Sequence, residues 1–125
     1  QEGVQGIDYG RKDELQWISV IRLPDFVQKE DVDWAVAEAE RKKKQDYSKV
    51  EFLTIEEGLC VQCLHIGAFD DEPATVDLMN TFLEENGYVN DFSDDRMHHE
   101  IYLSDARRVP ADRWRTVVRH PVIKV

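Results

Sequence analysis

Basic residues are scarce in this chain of 125: Lys and Arg total 16 against 26 Asp and Glu, a formal charge of −10. Such a field repels a phosphate backbone, and the basic residues form no stripe beyond Arg41 to Lys44. Nucleic acid is therefore not an expected partner. Long apolar runs are missing as well. None approaches the roughly 18 residues that a spanning helix needs, and no signal-peptide pattern opens the chain, so no membrane partner is expected. Only two cysteines are present; with no secretory pattern, this points to a reduced, cytoplasmic protein. There is no glycine-rich phosphate loop and no G-x-S-x-G elbow, which removes two common signatures of phosphate binding and serine-hydrolase chemistry. No cofactor is expected. The chain opens at Gln1, with Gly3, Gly6 and Gly10 close behind, and reads as one that begins within a longer parent or has lost a leading part.

What is present is enough for one folded domain. The hydrophobic fraction is 42% and the aromatic fraction 10%, sufficient for a continuous core at this length. Residues 1–14, polar and glycine-rich, read as a flexible lead-in, and 15–125 as the domain. Leu15 to Arg22 alternates as a first strand, ended by Pro24. A helix over 29–44 follows, with Val32, Ala35, Val36 and Ala39 on one stripe, acids in its first turn and Arg41 to Lys44 in its last. That basic run is then a helix end. Val50 to Glu56 and Leu59 to Ile66 read as strands of a hairpin around Glu57-Gly58. Pro73 opens a second helix, which Asn86-Gly87 stops. A strand over 96–105 and a last one over 115–120, stopped by Pro121, complete the order. Strands in runs with helices between them predict an α+β fold: duplicated strand–helix–strand–strand modules, an antiparallel or mixed sheet, helices on one face and a concave ligand face on the other.

The segment Arg96-Met-His-His-Glu-Ile-Tyr-Leu-Ser-Asp105 carries the chemistry. In a strand, His98, Glu100 and Tyr102 share one face and His99, Ile101 and Leu103 the other. The second set suits burial under helices. The first sets a carboxylate between an imidazole and a phenol, and an acid in such company needs a partner, a ligand or a proton. The plainer alternative is an acid on a solvated sheet face. Trp17 divides in the same way between core and pocket wall.

Two further patterns lead nowhere. Cys60 and Cys63 have zinc or redox spacing, but inside a strand they face opposite sides, and no second pair exists. They read as small apolar residues. His98 and His99, being adjacent in a strand, diverge and cannot readily share an ion. No metal site is expected.

From Trp17 onward the chain resembles the GyrI-like small-molecule-binding family. The segments that carry the likeness are Arg22-Leu-Pro-Asp-Phe-Val27, Glu56-Glu-Gly-Leu-Cys-Val-Gln62, His65-Ile-Gly67 with Asp70-Asp-Glu-Pro-Ala-Thr75, His98-His-Glu-Ile-Tyr-Leu-Ser-Asp105 and Thr116-Val-Val-Arg-His-Pro-Val122. The resemblance implies an aromatic-lined pocket on a duplicated fold. It also implies a late-strand glutamate that meets cationic, lipophilic compounds, here Glu100. Some stand-alone members are hydrolases that open the cyclopropane ring of cyclopropanoid genotoxins. By that likeness Glu100 and Tyr102 are the catalytic candidates, with Trp17, His98, Glu100 and Tyr102 as ligand-binding candidates. A gyrase-inhibitor-like interaction module is a third branch of the family. Stand-alone members carry an extra strand, helix and strand before the Trp17 strand. A homodimer, or association with such an N-terminal segment, would then complete the pocket wall.

Three expectations follow. The first is a pocket for planar, lipophilic compounds, cations included, stacked on Trp17 and Tyr102 and selected by Glu100. The second is ring-opening hydrolysis, with Glu100 as general base or electrostatic partner, its pKa raised by burial, and Tyr102 as donor to the carbonyl oxygen that gains charge. The third is a protein-interaction role like that of the gyrase inhibitor, which rests on family likeness alone.

Overall fold

A computed structural model describes residues 17–125; the lead-in expected over 1–14 lies outside the described residues. The described chain falls into two units, 17–55 and 56–125, each taken here by itself.

In the first unit, α1 spans Lys29–Lys43. Its start is fixed by the Gln28 amide, which donates to Asp31 Oδ2 at 2.9 Å. Its end is fixed by Lys44, whose left-handed backbone (φ 53°) turns its N–H onto Glu40 O. Glu30 and Asp31 near the first turn and Arg41, Lys42 and Lys43 in the last oppose the helix dipole. The basic run is thus a helix end, as its position implied. Lys29 pairs with Asp33, and Arg41 with Glu38. The strands expected over 15–22 and 50–56 carry no ladder pairing among the described residues, of which the first segment contributes 17–22. Alternation was satisfied in both segments, but a strand also needs a neighbour for its N–H and C=O groups. The expected hairpin turn is taken up otherwise. Arg96 reaches back to Glu57 O (3.1 Å) and Leu59 O (2.6 Å), and Gly58 sits between them at φ 65°.

In the second unit, β1 spans Cys60–Ile66, α2 Glu72–Asn86, β2 Tyr88–Asn90, β3 His99–Tyr102 and β4 Arg115–Lys124. All pairings are antiparallel and all run to β4: β1 opposite 115–121, β3 opposite 116–119 and β2 opposite 122–124. Among the described residues the fold is α+β, two helices with an open four-stranded antiparallel sheet. Pro121 does not end the last strand. It falls between the β3 and β2 pairings, where its missing N–H is not asked for, while its carbonyl accepts from Asp91 N at 2.9 Å. β2, which the sequence did not suggest, exists because the strand continues past that proline.

Pro73 lies in the first turn of α2, and Gly87 (φ 77°) caps its end with an N–H bond to Leu83 O. Met79 and Leu83 from α2, with Val118 and Val122 from β4, form the apolar core. Each contributes roughly 1.5–3 kcal/mol by leaving water.

Candidate functional site

The register of the sheet decides which side chains meet. Tyr102 lies opposite Thr116 and Glu100 opposite Val118, while His65 on β1 lies opposite Thr116 from the other edge. Opposite residues share a face. His98, Glu100 and Tyr102 therefore sit with Thr116, Val118, His120 and His65. The first turns of α2 come down on this same face: Thr75 Oγ1 lies 2.7 Å from His65 Nδ1, and His65 Nε2 donates to Ala68 O at 2.8 Å. The expectation that His99, Ile101 and Leu103 would lie under a helix is reversed. Leu103 is 54% exposed, and His99 Nδ1 stands 3.5 Å from Glu57 Oε1 on the other side. Alternation tells which residues travel together, but not which set the helix covers.

Four groups converge beneath the start of α2. Glu72, the first residue of the helix, is fully buried. One of its carboxyl oxygens lies within 4.8 Å of one of Glu100, and this neighbour helps to hold the Glu100 carboxyl down. His98, with a side chain 8% exposed, brings Nε2 to 3.7 Å from Glu100 Oε2. At that length the contact is electrostatic rather than a hydrogen bond. Behind it, His98 Nδ1 lies 2.7 Å from His120 Nε2. Burial, helped by the neighbouring His98, pushes His120 down to about 4, so it is neutral near pH 7.

Glu100 itself is not the acid with a raised pKa that burial alone would make. Burial pushes its carboxyl up, but His98 and Glu72 outweigh it, and the net shift is downward. The expected upward shift is corrected: the neighbours prevail over desolvation. With its side chain 24% exposed, the carboxylate stays charged and reachable. Tyr102 moves the opposite way. Burial first, and then the negative charge of the two glutamates, raises its phenol above the usual value, so it remains a donor.

An aromatic row runs from this acid to the surface. Phe69 stands 5.4 Å from Tyr102 and 4.6 Å from Trp114, ring centre to ring centre, and Trp114 Nε1 is anchored on Val109 O at 2.7 Å. Tyr102 is 61% exposed. Of the residues singled out in the sequence, His98, Glu100 and Tyr102 are brought together. Trp17 belongs to the other unit, where it is 80% exposed. Glu72 and His120 were missed as site residues. An acid in a first helical turn ordinarily reads as a dipole partner, and only the β3–β4 register shows that His120 stands beside His98. Cys60 and Cys63 are free and half-buried. A hollow of about 230 Å³ beside α2 is lined by Val61, Gln62, Cys63, Leu78, Met79 and Phe82, and Glu100 is not among them.

The GyrI-like small molecule binding domain family matches residues 18–123. The chain belongs to the GyrI-like family. Two solved structures from Listeria innocua are similar to it. One, a hydrolase, is 43% identical with a TM-score of 0.76, over 82% of this chain and 52% of that one. The other, described as an uncharacterized conserved protein, is 45% identical with a TM-score of 0.78, over 82% of this chain and 50% of that one. The GyrI-like chain thus spans about half the length of these relatives. A comparison with curated proteins gives no significant match. Among the described residues no helix is long and apolar enough to cross a membrane.

Proposed function

We propose that this GyrI-like chain binds planar, lipophilic small molecules, cations included, on the sheet face that carries Glu100 and Tyr102. The supporting observation is a partly exposed glutamate held in its charged form by His98 and Glu72. Among the described residues its close neighbours are an imidazole and a second carboxyl, which leave its charge available to a ligand. The exposed Tyr102 ring, backed by Phe69 and Trp114, offers stacking area beside that charge. Fluorescence titration of a planar dye cation such as proflavine tests the reading. Glu100→Gln should weaken binding by about tenfold, the loss of one cation–carboxylate contact, and Tyr102→Ala should weaken it comparably. Undiminished affinity in Glu100→Gln contradicts the proposal.

A second reading is favoured by the pairing of Glu72 with Glu100 and by the relative described as a hydrolase. Water would add across a strained cyclopropane. Glu100 would accept the proton of the attacking water, and Tyr102 would donate to the substrate carbonyl oxygen as charge develops. Mass spectrometry of a cyclopropanoid substrate should show the gain of one water in the presence of the protein. Equal product without protein, or with Glu100→Gln, rules this chemistry out.

A further inference from the structure

We propose that Glu72, His98 and Glu100 form a binding site for a divalent first-row transition ion of the Zn²⁺ class, which goes beyond small-molecule binding and does not depend on it. One donor atom from each of the three lies within 4.8 Å of the others. They come from two rigid places, the first turn of α2 and the β3 segment. A single imidazole nitrogen with two carboxylate oxygens is a borderline donor set that suits Zn²⁺, Co²⁺, Mn²⁺ or Fe²⁺, and three protein ligands leave coordination positions open to water.

A second observation points the same way. His98 is more than nine-tenths buried, yet its Nε2 is a buried atom with no hydrogen-bond partner, directed at the glutamate pair. A buried polar atom left in that condition is costly. A metal ion would satisfy it. The other nitrogen of the same ring is already held, with Nδ1 2.7 Å from His120 Nε2. Ligating histidines characteristically donate their second N–H to such an acceptor, which fixes tautomer and ring plane. His120 is thus placed as the positioning residue behind the ligand. The glutamates supply the charge balance: two carboxylates would neutralise a dication together.

The test uses Zn²⁺ and Co²⁺ salts as probes on the whole chain, in buffer free of chelator. Calorimetry should show one equivalent of Zn²⁺ per chain. Affinity should fall at least about tenfold in His98→Gln and roughly 10–100-fold in His120→Gln, and should be unchanged in the Cys60→Ser/Cys63→Ser double variant. X-ray absorption of the Co²⁺ form should show nitrogen and oxygen ligands with one imidazole. No Zn²⁺ uptake by the folded protein, full uptake by His98→Gln, or loss of uptake in the double serine variant overturns the proposal. Should His98→Gln fail to fold by circular dichroism, the absorption spectrum of the unaltered protein decides alone. Sulfur in the first coordination sphere, or no imidazole, overturns the site, whatever the dye titration shows.

Discussion

His98 Nδ1 lies 2.7 Å from His120 Nε2, and the far nitrogen of the same ring lies 3.7 Å from Glu100. A line of polar groups therefore runs from the buried floor of the sheet to a half-open acid. His120 is only 2% exposed, so its partner in the line has little freedom to move. The edge of the Phe92 ring closes the other side, 5.0 Å from the His120 ring centre. The charge state of Glu100 thus rests on His98 just before β3, Glu72 in the first turn of α2 and His65 on β1.

Acid should destabilise the protein well before ordinary carboxylates titrate. The folded pKa of His120 is pushed down to about 4 from an ordinary 6.5, so the unfolded chain binds the proton first. Stability from this group is complete above pH 6.5 and is lost as pH falls through about 4, a change on the order of 2–3 kcal/mol. The lowered Glu100 pKa acts in the same direction further into acid. Urea unfolding at pH 7, 6, 5 and 4 measures this. A His120→Phe variant should show a shallower slope between pH 6.5 and 4.

Arg96 is a clamp rather than a ligand-binding cation. It binds Glu57 O, Leu59 O and Asp91 Oδ2 at 3.1, 2.6 and 2.6 Å, tying the entry to β1 to the segment before β3. Arg96→Ala should cost about 2–3 kcal/mol in chemical unfolding, the usual loss for charge-assisted bonds to backbone. Arg96→Lys should recover only part, since an ammonium cannot reproduce the planar fork.

Met79 is 2% exposed in the centre of the α2 interface. Met79→Ala should destabilise by about 2–4 kcal/mol by opening a cavity, whereas Leu78→Ala, at a position 66% exposed, should change stability by under about 1 kcal/mol. Thermal or urea unfolding of the two variants distinguishes the buried from the exposed side of the helix.

Much of this was legible before any coordinates. Both helices could be placed because their ends carry chemistry: acids and lysines at α1, Pro73 and Gly87 at α2. The alternation put His98, Glu100 and Tyr102 on one face, and the sheet register does the same. What the sequence could not show was long-range. Period two identifies a face without saying what covers it, so the helix was assigned to the wrong side of β3. Residues 17–22 and 50–56 alternate as strands should, but a ladder needs a neighbour. Pro121 read as a terminator because the change of partner along β4 is invisible locally. Glu72 was hidden for the same reason: its position favours solvent, and only the approach of α2 to β3 buries it beside a second carboxyl.

The central claim is that the charged Glu100 and its neighbouring Tyr102 ring are where a small molecule meets this protein. Chemical-shift mapping with labelled tyrosine, histidine and methionine, titrated with proflavine, tests it most directly. The account predicts saturable shifts at Tyr102 and His98, with the midpoint moved to about tenfold more dye in Glu100→Gln. Shifts centred instead on Met79 beside the Phe82 hollow, or unaltered by Glu100→Gln, would contradict it.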